Sequence, residues 1–186
     1  MEESDIALMA RIKDGDMRAF EALLERHKRS VYNLARRFLG NEEDADDVAQ
    51  EAFIRVYRAA GTYTPQAKFT TWLYTIVKNL CFNVIRKRTQ AEIVSLDDEE
   101  FPEIPAKLPT PFDALATKEV SVRVSAAVHA LPENLRMAVI LKKYYGLSYD
   151  EIASVFGCTV NAVKLRVHRA KEMLAQELLD ISGETK

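Results

Sequence analysis

Between Val163 and Lys171 the chain carries Lys164, Arg166, Arg169 and Lys171 and no acid. On a helix such residues can neutralise backbone phosphates or bond the O6 and N7 edge of guanine. A second acid-free stretch, Trp72 to Gln90, holds Lys78, Arg86, Lys87 and Arg88 among the aromatics Trp72, Tyr74 and Phe82. Rings beside cations suit single-stranded nucleic acid, where stacking contributes about 1–3 kcal/mol per base and cations follow the backbone. Either run could instead be a solvated face, and Trp72 or Phe82 is expected to serve the core. A third run has the opposite sign. Glu42, Glu43, Asp44, Asp46, Asp47 and Glu51 fall between Asn41 and Glu51 without a base. Asp47, Gln50, Glu51, Ile54 and Arg58 share one helical face there. Ile54 reads either as an ordinary exposed isoleucine or as the anchor of an acidic docking patch for a basic protein. Catalysis is not suggested. His27, His129 and His168 are scattered, Cys81 and Cys158 lie far apart, and no Ser/His/Asp or metal-ligand spacing occurs. No cofactor and no metal site are predicted.

These residues need helices to hold them. Helical periodicity predicts a short helix over Asp5 to Lys13 and a second after Asp16, running to a stop at Gly40. A third begins near Asp44 and ends before Gly61. Its buried stripe is expected to be Ala45, Val48, Ala49, Ala52, Phe53, Val56, Tyr57 and Ala60. After a loop, the fourth runs from about Thr71 to Arg88, with Leu73, Ile76, Val77, Leu80 and Val84 inward. Strand-like alternation is nearly absent; Glu92 to Leu96 is its nearest candidate. From Ala91 to Glu119 eight acids face Lys107 and Lys118, giving −6, and Pro102, Pro105, Pro109 and Pro111 break the pattern. That composition predicts a flexible linker. Helices resume near Phe112 and continue to Ala130, then over Glu133 to Tyr145, Tyr149 to Phe156 and Val160 to about Leu179. Ser148 and Glu151 have capping-box spacing, Gly157 permits a tight turn, and Thr159 can cap the last helix. This is a helix-turn-helix pattern, with Asn161, Lys164, Leu165, His168 and Arg169 outward and Arg166 and Lys171 on the flanks. The predicted fold is all-α: an N-terminal helical bundle over 1–90, an acidic linker over 91–118, and a C-terminal helix-turn-helix domain over 119–186.

The whole chain has 186 residues, 26 Lys plus Arg against 28 Asp plus Glu, and a net charge of −2. Taken whole, such a total speaks against nucleic acid. Resolved by segment, it is the sum of two +4 helices, a −6 patch, a −6 linker and a nearly balanced remainder. The N-terminus has no apolar signal core and no run reaches transmembrane length, so a cytoplasmic protein without direct membrane insertion is expected.

The segments FEALLERHKRSVYNLARRFLG, DADDVAQEAF, FTTWLYTIVKN, LPENLRMAVIL and LSYDEIASVFGCTVNAVKLRVHRAKEML, in that order, resemble the bacterial extracytoplasmic-function sigma factors over nearly the whole chain. The resemblance implies a non-enzymatic specificity subunit of RNA polymerase. It implies that Asp47, Gln50, Glu51 and Ile54 bind the polymerase clamp helices, and that an apolar face around Leu135, Val139 and Leu141 binds the flap. It implies that the first domain recognises and melts the minus-ten promoter element. Ala59, Tyr63, Tyr74, Ile76 and Asn79 would form a pocket for a flipped base, with Arg55 nearby and Trp72 and Lys78 on the same helix. The last helix would read the minus-thirty-five element. Control by an anti-sigma factor, which could hold the protein at the membrane, is also implied. Leu165 stands where relatives often carry a small polar residue. A stand-alone duplex-binding regulator would leave the DADDVAQEAF face and the aromatic-basic helix unexplained, and a protein-docking module would leave the acid-free recognition helix unexplained. The weak global charge adds one expectation: in the free chain the two domains sit against each other, and DNA binding needs polymerase to part them.

Overall fold

A computed structural model describes residues 3–95 and 115–183. Most of the predicted linker therefore lies outside the described residues. Among the described residues the regular elements are helical. Helix α1 spans Asp5–Lys13, α2 Met17–Leu39, α3 Glu42–Ala59 and α4 Phe69–Ser95. Helix α5 spans Leu115–Ala130, α6 Glu133–Tyr144, α7 Tyr149–Phe156 and α8 Val160–Gly183. A single 3-10 turn, Ala60–Thr62, follows α3. The strand-like stretch is helical as far as Ser95, so α4 continues past the expected boundary at residue 90.

Local chemistry sets the ends. The Ser4 hydroxyl accepts from the Ala7 amide at 3.2 Å. One Asp16 oxygen accepts from the Arg18 and Ala19 amides, while the other takes Arg11 at 2.6 Å. Asn41, which the charge pattern concealed, caps α3 by accepting from the Asp44 amide at 2.8 Å. That cap starts the helix two residues before the expected Asp44. Gly40 ends α2 at φ +85°, a conformation that disfavours any side chain.

Packing follows the apolar stripes. Leu23, Val31, Leu34 and Phe38 of α2 meet Val48 and Val56 of α3 and Leu73 and Val77 of α4, all buried in one cluster. Tyr57 departs from its predicted stripe: it is 44% exposed, its ring edge-on to Phe20 at 5.2 Å. In the second half, Met137, Ile140 and Leu141 of α6 pack with Ile152 and Val155 of α7 and Val163 and Val167 of α8. The two halves share one continuous buried cluster, because α7 lies on α4 and α6 lies on α2.

Candidate polymerase and promoter surfaces

The seam between the halves is polar as well as apolar. Lys78 is buried, and its ammonium donates to the Val155 carbonyl at 2.9 Å. That carbonyl lies in the last turn of α7, where helix oxygens lack intrahelical partners, so a lysine from the other domain caps the helix. Burial pushes the Lys78 pKa down and so does Arg166, while Cys158 opposes them. Tyr145 donates to the Ser30 carbonyl at 2.9 Å, and Tyr74 and Ser30 share a hydrogen bond of 2.8 Å. Arg136 spans the joint, donating to the Phe38 carbonyl and to the Leu131 carbonyl, each at 3.0 Å. Lys68 meets Glu151 at 2.8 Å. Glu151 also accepts from the Ser148 amide, closing the predicted capping box, and first Lys68, then Ser148, hold its pKa down at about 2.

Next to the seam the loop after α3 and the start of α4 enclose an open cavity of about 470 Å³. Ala59, Tyr63, Trp72 and Thr75 line it from the first domain, and Ser154 from the second. Tyr63 and Trp72 stand 4.8 Å apart, centroid to centroid, with Phe69 5.7 Å from Trp72. The Tyr63 hydroxyl is buried without a protein partner. Of the residues expected at a base pocket, Ala59 and Tyr63 line this cavity, and Trp72 joins them. Tyr74 and Lys78 do not: one helical turn apart, they face the seam, and Tyr74 is 7% exposed. Ile76 packs half-buried on the core, and Asn79 is exposed one turn beyond Thr75. Neither lines the cavity. Sequence reasoning missed Thr71 and Thr75, whose spacing of four beside Trp72 places them on the cavity side, and Gln66 in the loop.

On α3, Asp47 and Gln50 are exposed and Ile54 is 43% exposed. Glu51 is tied to Arg55 at 2.8 Å, which sets Arg55 on this acidic face rather than in the cavity. The expected apolar flap face is not free. Val139 and Leu141 are buried, and Val139 packs with Leu131 and Ala170, flanked by half-buried Leu135 and Leu174. Helix α8 covers what the sequence left open, because Ala170 and Leu174 continue its inward stripe past Val167.

On α8, Asn161, Lys164, Leu165, His168, Arg169 and Lys171 are exposed. Leu165 is 48% exposed. Arg166 instead folds back: its guanidinium lies 4.7 Å from the Phe156 ring centre and donates to Cys158 Sγ at 3.1 Å. Gly157 turns at φ +64°, and the Thr159 hydroxyl accepts from the Ala162 amide at 3.3 Å. Near the far end of the face, His168 pairs with Glu172 at 3.3 Å.

A helical bundle with an acidic face and an aromatic cavity, joined to a helix-turn-helix, defines a protein that meets both another protein and DNA. Two family models match the chain: sigma-70 region 2 over residues 23–91 and sigma-70 region 4 over residues 121–174. The chain is 38% identical over 183 residues to the RNA polymerase sigma-H factor of Pseudomonas aeruginosa, covering 95% of each. It is 35% identical over 176 residues to the sigma factor SigW of Bacillus subtilis, covering 91% of this chain and 94% of that one. Among solved structures, CnrH in complex with the cytosolic domain of CnrY has a TM-score of 0.71 at 28% identity, over 96% of this chain and 99% of CnrH. The sigma factor RpoE of Bartonella quintana, in complex with the anti-sigma factor NepR, has a TM-score of 0.67 at 25% identity, over 86% and 96%. The chain belongs to the extracytoplasmic-function sigma factors of the sigma-70 family. Members of that family are specificity subunits of RNA polymerase, not enzymes themselves. Among the described residues no helix is long and apolar enough to cross a membrane.

Proposed function

We propose that this sigma factor binds polymerase, opens promoters and, in the free chain, is restrained by contacts between its own two domains. The acidic face of α3, with Asp47, Gln50 and Glu51 around Ile54, docks the clamp helices. The cavity of Ala59, Tyr63 and Trp72 receives a flipped non-template base of the minus-ten element. Stacking and the unpaired Tyr63 hydroxyl offset the few kcal/mol that unstacking costs, on the order of the gain per stacked base. Helix α8 enters the major groove of the minus-thirty-five element, with Lys164, Leu165, His168 and Arg169 toward base edges and Lys171 toward phosphate. Asn161 sits at the leading end of that face. The flap contact of Leu135 and Val139 requires α6 and α8 to part locally, since Val139 is covered by Ala170 and Leu131.

In the free chain the minus-ten surface is held back, while the faces of α3 and α8 stay exposed. The observation that carries this reading is Lys78, buried against the Val155 carbonyl, next to a cavity that Ser154 partly closes. A lysine that caps α7 cannot also follow a DNA backbone. Tyr74, stacked edge-on to Tyr145 at 5.2 Å, is withheld in the same way. Polymerase would part the domains and set their spacing, and an anti-sigma factor would hold them inactive; the similarity to RpoE, which is in complex with the anti-sigma factor NepR, supports such a partner.

The test adds the purified chain to core polymerase and measures transcription from a promoter library. Specific initiation is expected, and Glu51→Lys with Ile54→Asp abolishes it together with polymerase binding while leaving the helical dichroism unchanged. Tight promoter binding by the free full-length chain would remove the closed-state part of the proposal; absence of any specific initiation by the folded chain would remove all of it.

A further inference from the structure

A second cleft lies on the seam and serves none of these roles. It has a volume of about 490 Å³ and opens between α2 and the end of α6. Arg26, Arg29, Asn33 and Arg37 line it from α2, at helical steps of three, four and four. Tyr144 lines it from the other domain. No carboxylate is among its lining residues, although Asp5 pairs with Arg26 at 2.6 Å from its edge. Arg29 is exposed and has no partner among the described residues. The Arg37 guanidinium sits 4.0 Å from the centre of the Tyr144 ring, which is 49% exposed.

Three guanidiniums in one concave site with so little neutralisation repel one another, and a polyanion relieves that repulsion. Guanidinium forks match phosphate oxygens, two hydrogen bonds at a time. An aromatic ring half open to solvent offers a stacking surface, and the Asn33 amide can bond a heterocycle edge. The volume falls in the range of small-molecule sites, nucleotides included. Because the lining comes from both domains, a molecule bound here holds them together.

We propose that this cleft binds a nucleoside polyphosphate, its phosphates on Arg26, Arg29 and Arg37 and its base on Tyr144, and that binding strengthens the closed arrangement. The inference rests on the closed packing of the preceding subsection. The two are read separately: calorimetry reports the cleft, and energy transfer between dyes on the two domains reports the packing.

The experiment titrates the full chain with ATP, pyrophosphate and adenosine at low salt. ATP binds, adenosine alone does not, and pyrophosphate binds more weakly than ATP. The pair Arg29→Ala and Arg37→Ala, both exposed positions, leaves the circular dichroism unchanged and weakens ATP at least about tenfold. Tyr144→Ala weakens ATP and leaves pyrophosphate unaltered. ATP raises transfer efficiency in the parent chain and not in the arginine pair. Absence of ATP binding up to ~1 mM in the folded chain overturns the proposal. Equal affinity for pyrophosphate and ATP, indifferent to Tyr144→Ala, overturns it in favour of a plain anion site. ATP silent while a promoter oligonucleotide binds and weakens in the arginine pair overturns it in favour of DNA. ATP binding with no change in transfer efficiency overturns the coupling to closure.

Discussion

Gly40 shows how one residue serves two structures. It ends α2 in the left-handed region, and a Cβ placed there would stand 3.1 Å from the His129 ring of the other domain. Gly40→Ala should therefore cost on the order of 1–3 kcal/mol for the backbone alone. It should also push the domains apart. Urea unfolding with an unchanged slope would report the first effect, and a fall in interdomain energy transfer the second. A midpoint within error of the parent would sink both. The sequence marked Gly40 as a helix stop, because position within a pattern is a local property. It held no sign of His129, which lies 89 positions away and reaches it through packing. Arg55 is the opposite case: its spacing of four from Glu51 already places the two side by side, and they pair at 2.8 Å.

At the scale of elements, α7 and α8 were legible nearly to the residue. Ser148, Glu151, Gly157 and Thr159 act within a few positions of themselves, so their pattern is their structure. Ser148→Ala should remove one half of the capping box and cost about 1 kcal/mol in thermal or urea denaturation. On the exposed face of α8, base reading and phosphate binding fall to different residues. Lys164→Ala should change which promoter sequences are preferred, whereas Lys171→Ala should weaken all of them and reduce the salt dependence of binding by about one unit of log–log slope. Binding assays on a sequence library at several salt concentrations separate the two. If both variants act alike on every sequence, the face is wrongly assigned. The least legible element was α6. Its apolar residues promised a docking face, but Val139 and Leu141 are covered within the domain. Periodicity reports that a stripe is apolar and is silent on whether its neighbour is a partner protein or the next helix. The aromatic helix α4 had the same ambiguity: Trp72 went to the cavity, while Tyr74 and Lys78 went to the seam.

For the molecule as a whole, closure should depend on pH, and the seam fixes the direction. The His129 ring packs on Gly40, with Arg36 and Arg136 as its charged neighbours. Glu42 lies 3.8 Å from Arg36, and Glu133 acts on Arg136, so neither acid is given wholly to the imidazole. Burial first, and then the two arginines, hold the His129 pKa below its ordinary 6.5. Once the domains part, the ring regains solvent and leaves Arg36, while Arg136 stays in its own domain, so its affinity for a proton rises toward the ordinary one. The open form therefore binds more protons below about pH 6.5, and acidification favours opening. The contribution of neutral His129 is fully present above that value and declines as pH falls through it. Glu151 acts in a lower window. Its pKa is depressed to about 2 by Lys68 and Ser148, so its contribution holds above the ordinary carboxylate value of 4.5 and is lost as pH falls toward 2. Opening breaks the Lys68 contact and spares the capping box, so part of that loss belongs to closure and part to α7 itself. Interdomain energy transfer should thus fall as pH drops below about 6.5, before any change in helical dichroism. His129→Gln should flatten the profile in that range while leaving the step below about pH 4.5 in place. A parent profile flat across the upper range, with closure confirmed at neutral pH, would show that the imidazole is not what couples protons to the seam.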